Sequence, residues 1–131
     1  MNDMLLEIRG LKKYFPLRGG FLSGERGTIR ALDGVDLEIR RGETLGLVGE
    51  SGCGKTTVAK ASLRTLRGNA VIAGGKALFR GRDVLTMNHS ELQKLRWKEI
   101  STIPQSAMNA LDPVYRVGKQ IVEVIRVHER L

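Results

Sequence analysis

An eight-residue segment constrains the fold of this chain more than any other feature of the sequence. Residues 49–56 read Gly-Glu-Ser-Gly-Cys-Gly-Lys-Thr and match the pattern G-x-x-x-x-G-K-[ST] at every fixed position. A compact apolar run at residues 44–48 precedes the segment, and helical periodicity follows it over residues 55–66. Such a run is typical of a strand buried on both faces of a sheet. The order of strand, glycine loop and helix predicts an α/β fold with a phosphate-binding loop.

The residue types in this loop suit a magnesium nucleotide. Glycines allow backbone conformations in which successive N–H groups point at phosphate oxygens. The helix that begins near Gly54 adds unpaired N–H groups and the positive end of its dipole. The Lys55 ammonium can reach the β- and γ-phosphates, and the Thr56 hydroxyl is a hard ligand for Mg²⁺. We therefore predict that ATP and Mg²⁺ bind to Gly49, Glu50, Ser51, Gly52, Cys53, Gly54, Lys55, Thr56 and Thr57.

The single cysteine, Cys53, lies inside this loop. A helix N-terminus lowers a thiol pKa, which leaves a nucleophilic or redox role open. A small residue that fills a tight loop is the simpler interpretation, and we assign only its backbone N–H to the site. One cysteine also excludes an intrachain disulfide and fits a reducing cytosol.

Composition sets broad limits on the class of protein. Apolar residues make up 41% and charged residues 27% of the 131 residues, which is typical of one globular domain. No apolar run approaches the roughly 20 residues of a membrane span, and the start of the chain does not resemble a signal peptide. We therefore expect the protein to stay in the compartment where it is made. The net charge of +8 suits a polyanion or an anionic membrane surface, although scattered charges also fit a solvated basic surface.

Periodicity and turn residues predict the other elements. The alternation at residues 35–39 is typical of a half-buried strand, and Ser90 begins a stretch with capping-box spacing. Strands are predicted at residues 4–9, 35–39, 70–79 (around a turn at Gly74 and Gly75) and 100–103. Helices are predicted to begin near Ser90 and to span residues 117–131. A turn is predicted at residues 41–43, and loops are predicted at residues 18–27 and 106–116.

Several separated motifs resemble one known family. Residues 42–56 closely resemble the phosphate loop of oligopeptide/dipeptide ABC transporter ATPases, and residues 31–35 resemble the segment before that loop. Residues 103–113, Ile-Pro-Gln-Ser-Ala-Met-Asn-Ala-Leu-Asp-Pro, are similar to the Q-loop of the family, and residues 117–121 to the start of its helical subdomain. The resemblance extends from Leu5 to Leu131.

The resemblance implies a P-loop NTPase fold of the ABC nucleotide-binding type. Residues 1–43 would form an antiparallel β region, residues 44–105 the P-loop core with part of a mixed or parallel sheet, and residues 106–131 the Q-loop and the start of the helical subdomain. The implied function is ATP binding and hydrolysis coupled to import of peptides, with nickel or an oligosaccharide as open alternatives. The implied partners are membrane subunits, a second ATPase subunit in a homo- or heterodimer and, indirectly, a solute-binding protein. The implied location is the cytoplasmic face of the membrane, and no nucleic acid is expected as a partner.

The resemblance also implies roles for residues outside the loop. Gln105 would contact Mg²⁺ and the attacking water, which makes it a catalytic residue with Lys55 and a metal ligand with Thr56. From its own chemistry, Gln105 is only an amide after a strand, for which a structural role is the simpler reading. Phe15 would stack on adenine, with Tyr14 as the alternative. The simpler interpretation of either residue is an aromatic side chain in the hydrophobic core.

The sequence departs from the family pattern in three respects. Pro104 stands where the family usually has an aromatic residue. Residues 11–22 resemble one of the paired ATPase subunits and residues 98–117 the other, so the subunit type stays open. The signature motif, the Walker B Asp with its following Glu, and the switch histidine are absent, and neither His89 nor His128 matches that histidine. We therefore expect a truncated or partial sequence that binds Mg-ATP weakly at best and does not turn it over. Alternative interpretations are a non-transport ABC ATPase acting on nucleic acid, a small-molecule P-loop kinase and a non-catalytic nucleotide-binding fragment.

Overall fold

The computed structural model describes residues 3–16, 27–66, 71–103 and 111–129. Gln105, Pro104, residues 106–110 and most of the predicted loop at 18–27 lie outside these ranges. The chain divides into two units, residues 1–87 and residues 88–131, which are described separately.

The first unit is built on a four-stranded antiparallel sheet in the order β2-β1-β3-β4. The strands are β1 (Met4–Pro16), β2 (Thr28–Arg40), β3 (Val71–Phe79) and β4 (Arg82–Asp83). The strands predicted at residues 4–9 and 35–39 are confirmed and are longer than predicted. The described part of the segment predicted at 70–79, Val71–Phe79, forms one strand rather than short strands around a turn. Its Gly75 has a φ of +89°, and a Cβ there would lie 2.4 Å from the Gly10 carbonyl oxygen of β1, so only glycine fits the close approach of the two strands.

One face of the sheet forms the core with the helix α1 (Lys55–Ser62). Along β2 the inward residues Val35, Leu37 and Ile39 are half-buried, while Asp36 and Glu38 are exposed, as the period of two predicts. The buried cluster consists of Ile8, Leu11, Leu32, Val58 and Ala61. Burying a side chain such as Leu11, which is 0% exposed, stabilises the fold by about 2–3 kcal/mol.

The helix α1 ends four residues earlier than predicted, at Ser62 rather than at residue 66. The Arg64 N–H donates to the Ala61 carbonyl at 3.0 Å, and the Thr65 N–H donates to the Lys60 carbonyl at 2.9 Å. With Arg64 at a φ of 51°, these two bonds form a Schellman motif, which satisfies the last helical carbonyls and turns the chain away. The apolar periodicity continues to Leu66 because Leu66 still packs against the core after the helix has ended.

The prediction of a buried strand at residues 44–48 is wrong for this structure. These residues form no regular element, and Val48 is 90% exposed, with Leu45 and Leu47 also exposed. A strand buried on both faces needs a hydrogen-bonded neighbour at each edge and a covering layer on each face. No strand within the described ranges pairs with this run, and the described strands are all antiparallel.

In the described residues of the second unit there are two helices, α2 (His89–Leu95) and α3 (Val117–Glu129). The start of α2 is confirmed to within one residue, but the capping box uses Asn88 and Glu91 rather than Ser90 and Gln93. The Asn88 side chain accepts from the Glu91 N–H at 3.0 Å, and the Glu91 carboxylate accepts from the Asn88 N–H at 2.8 Å. The predicted final helix is confirmed over residues 117–129.

The strand predicted at residues 100–103 is wrong. Ile100 makes a single bridge to Arg96, and residues 101–103 have no regular structure. The chain turns back directly after α2, where the Trp97 N–H donates to the Ile100 carbonyl at 2.8 Å. Ile100 closes this turn with one bridge, and residues 101–103 do not continue it into a ladder.

Candidate functional site

The predicted phosphate loop ends on the sheet, at the N-cap of α1. Gly54 occupies the N-cap with a φ of 96° and supplies no side-chain cap. A Cβ on Gly54 would lie 3.1 Å from the Ala31 carbonyl oxygen and 3.2 Å from Leu32 Cδ2. The end of the loop is therefore seated directly on β2, in a backbone conformation that other residues rarely adopt.

The N-terminus of α1 is suited to an anion. The first N–H groups of any α-helix have no acceptor within the helix, and here no side chain caps them. No acidic residue lies in the first turn, so nothing there opposes the positive end of the helix dipole. The donors of the first turn thus remain available to phosphate oxygens.

The Lys55 ammonium folds back over the loop. Its Nζ donates to the Gly49 carbonyl at 2.7 Å, to the Glu50 carbonyl at 2.6 Å and to Cys53 Sγ at 3.2 Å. A Cβ built on Gly49 would lie 2.7 Å from Cys53 Sγ and 3.8 Å from Nζ, so a side chain at Gly49 would fill the space beside the ammonium. The loop therefore holds a positive charge against its backbone, and phosphate oxygens, which are themselves charged, would accept stronger bonds from the ammonium than neutral carbonyls do.

Cys53 shares the electrostatics of this loop. The thiol is exposed, and the hydrogen bond from Lys55 is the main cause that lowers the pKa of Cys53 below its ordinary value, while desolvation acts in the opposite direction. A lowered pKa raises the thiolate fraction near neutral pH. Cys53 is therefore a chemical probe of the position of Lys55.

The residues after the lysine provide hydroxyl groups. Thr56 is exposed and Thr57 is half-buried in the first turn of α1. Within residues 3–16, 27–66, 71–103 and 111–129, no cluster of three or more His, Cys, Asp or Glu side chains could hold a metal ion. The donor set thus fits a Mg²⁺ ion that takes one hydroxyl from the protein and most of its oxygens from phosphate and water.

The aromatic residues predicted at adenine lie at the far end of β1. The Tyr14 hydroxyl donates to Asp33 Oδ1 at 2.8 Å, and the Arg30 guanidinium lies 5.7 Å from the centroid of the Tyr14 ring. Arg30 also donates to Asp33 Oδ2 at 3.3 Å. The hydrogen bond with Asp33 raises the pKa of Tyr14 and lowers that of Asp33. Phe15 is half-buried opposite Ile29, and its stacking role stays a prediction.

The structure brings together part of the set of residues that the sequence predicted. Gly49, Lys55 and Cys53 are in mutual contact at the loop, while Gln105 lies outside the described residues. The contacts of Arg30 and Asp33 with Tyr14 were not predicted. The three-residue spacing of Arg30 and Asp33 could have suggested that these opposite charges lie close together. Only the strand register, in which Tyr14 pairs with Arg30, places them beside the aromatic ring.

Comparison with known proteins extends these observations. The sequence model of a family described as ABC transporter matches residues 32–130. A probable peptide ABC transporter ATP-binding protein of Sinorhizobium fredii is 39% identical over 98% of this chain and 37% of its own length. A dipeptide transport ATP-binding protein of Caldanaerobacter subterraneus is 41% identical over 86% of this chain and 34% of its own length.

An oligopeptide transport ATP-binding protein of Escherichia coli is 40% identical over 98% of this chain and 36% of its own length. The chain thus spans little more than a third of the length of these relatives. Among the described residues, no helix combines the length and the apolar character needed to cross a membrane.

Proposed function

Since the chain belongs to the ABC transporter family, we propose that it carries the ATP-binding loop of a subunit that energises the import of peptides. The relatives in Sinorhizobium fredii, Caldanaerobacter subterraneus and Escherichia coli are named for peptide, dipeptide and oligopeptide transport respectively. Two of these matches extend over 98% of this chain, which supports the same class of solute here. Nickel or an oligosaccharide is the alternative cargo.

The observation that carries the proposal is the position of the Lys55 ammonium over the loop. It bonds to the Gly49 and Glu50 carbonyls, beside the uncapped N-terminus of α1. In the proposed complex, Lys55 and the N–H groups of the first helical turn hold the polyphosphate, and Thr56 contributes a ligand to the metal. Bound Mg-ATP supplies the phosphoanhydride whose hydrolysis drives transport. Gln105 is proposed as a second metal contact that orients water, and Phe15 or Tyr14 as the adenine contact.

The proposed setting is an assembly of several subunits. The protein would work with a second ATP-binding subunit, dock on membrane subunits at the cytoplasmic face and respond indirectly to a solute-binding protein. Hydrolysis is not expected from these 131 residues alone, because after Gln105 the sequence has no apolar run that ends in Asp-Glu to hold the metal and activate water. Phosphate release that Lys55→Ala abolishes would contradict this expectation.

The proposal is tested by titrating the 131-residue chain with a fluorescent ATP analogue in the presence of Mg²⁺. We expect saturable binding that Lys55→Ala weakens at least about tenfold, because the phosphates lose their charged donor. Lys60→Ala is the matched control, since Lys60 lies exposed in the last turn of the same helix. Its affinity should equal that of the unmodified chain. Absence of saturable binding, or binding equally strong in Lys55→Ala, would refute the proposal.

A further inference from the structure

A buried lysine lies on the core side of the sheet near the loop. Lys13 of β1 is 3% exposed and, with Ser62, is one of two buried polar residues within the described part of the chain. The buried Ser62 hydroxyl has a hydrogen-bond partner, because it donates to the Ala59 carbonyl at 2.9 Å. Lysine is among the residues that are almost never buried without a partner. Its position therefore calls for an explanation.

The strand register shows which face of the sheet carries Lys13. It pairs with Leu32 of β2 and with Ile72 of β3. Directly paired residues project from the same face of a sheet. Leu32 is a member of the core cluster and Ile72 packs against that cluster, so Lys13 is on the face that α1 covers.

The same neighbour connects Lys13 to the phosphate loop. Leu32 is the residue whose Cδ2 would lie 3.2 Å from a Cβ on Gly54, at the N-cap of α1. Paired residues in an antiparallel ladder have Cα atoms about 4.5–5.5 Å apart. Lys13 and the N-cap of α1, where the helix N–H groups emerge, thus both have Leu32 as a neighbour.

The charge of Lys13 is not matched by a carboxylate in the described residues. Burial lowers the pKa of Lys13, and no acidic group opposes that shift. A nearby anion would stabilise the charged form of this lysine and offset the effect of burial on its pKa. The neighbouring Lys12 is exposed, so two adjacent lysines of β1 occupy opposite environments.

We propose that Lys13 is a second cationic residue of the nucleotide site, which stabilises the bound polyphosphate from the sheet side of the loop. The inference rests on the function proposed above and adds a binding residue that the loop motif does not contain. The chemistry recognised is a chain of at least two phosphate groups, whether it belongs to a nucleotide or to inorganic pyrophosphate.

The test compares Lys13→Met, Lys13→Arg and Lys12→Met in the 131-residue chain, with a fluorescent ATP analogue and with pyrophosphate as a competitor. Methionine preserves much of the buried volume without the charge. We expect Lys13→Met to weaken binding of both ligands about tenfold, Lys13→Arg to retain most of the affinity, and Lys12→Met to change neither. Urea unfolding measured in parallel should give Lys13→Met a midpoint no lower than that of the unmodified chain, because a buried charge has been removed.

Unchanged affinity in Lys13→Met would overturn the inference and leave the proposed function standing. A loss of equal size in Lys13→Arg, together with a lower urea midpoint for both variants, would overturn it as well, because it would identify a packing role. Failure of the unmodified chain to bind either ligand would overturn the proposed function and this inference together.

Discussion

Two neighbouring segments with strand-like sequences behave differently in this molecule. The strand β2 (Thr28–Arg40) pairs with β1 along its whole length, from the Met4–Arg40 pair to the Pro16–Thr28 pair. The run at residues 44–48 follows it after a turn, is at least as apolar, and stays exposed without a partner. An alternating strand with one buried face needs one ladder and one covering layer, whereas a fully apolar strand needs neighbours on all sides. Apolar content alone therefore does not decide whether a strand forms.

This contrast extends into the phosphate loop. The loop leaves the unpaired run at Gly49 and reaches the sheet at Gly54, which lies against Ala31 and Leu32 of β2. The contacts that shape the loop come from its far end and from Lys55, not from the segment before it. The donor end of the site is thus organised even though the preceding run is not a strand.

The largest expected effect comes from truncating one apolar side chain in each region. Leu11→Ala should lower the free energy of unfolding by about 4 kcal/mol, because Leu11 is 0% exposed in the core cluster. Val48→Ala should change it by no more than about 0.5 kcal/mol, because Val48 is 90% exposed. Urea unfolding followed by circular dichroism measures both. Similar losses of unfolding free energy in the two variants would contradict the difference between the two segments, since residues 44–48 would then be part of the packed structure.

A second pair of substitutions tests the close approach of β1 and β3. Gly75→Ala should cost about 3 kcal/mol, because its Cβ would lie 2.4 Å from the Gly10 carbonyl oxygen. Gly81→Ala is the control, since Gly81 has a similar φ of +78° but nothing within 4 Å of its Cβ position, and it should cost only about 1 kcal/mol. The difference between the two urea-unfolding free energies isolates the contact between β1 and β3. Equal costs would mean that these strands do not approach as closely as described.

The smallest expected effect concerns the loop itself. Lys55 lowers the pKa of Cys53, so the thiolate persists to a lower pH than in an ordinary cysteine and alkylation stays fast near pH 7. Lys55→Ala should slow alkylation of Cys53 about threefold at pH 7 and move the midpoint of the pH–rate profile upward. Lys60→Ala should leave the profile unchanged. Identical profiles in all three proteins would show that Lys55 does not contact Cys53 as described.

Much of the first unit was predictable because its signals are local. The alternation in β2 and the glycine pattern of the loop each identify their structure without reference to distant residues. The end of α1 was not predictable from periodicity, because Arg64 adopts a left-handed backbone conformation that is usually found at glycine. The capping box of α2 was misplaced by two residues, because Asn88 and Ser90 are both good caps and only the side-chain contacts separate them.

For the candidate site, the sequence predicted which residues form the loop but not how its charges are arranged. The bonds from Lys55 to the Gly49 and Glu50 carbonyls depend on the backbone path. The burial of Lys13 depends on the register of three strands, which no local pattern in β1 specifies. Its neighbour Lys12 has the same side chain and is exposed.

Backbone amide resonances of the ¹⁵N-labelled chain, followed during addition of Mg-ATP, report whether the loop amides and Lys55 hold a polyphosphate. We expect saturable shifts concentrated at residues 52–57, which disappear in Lys55→Ala and persist in Lys60→Ala. Amide resonances of residues 52–57 that stay in place while ATP reaches millimolar concentration would contradict this expectation.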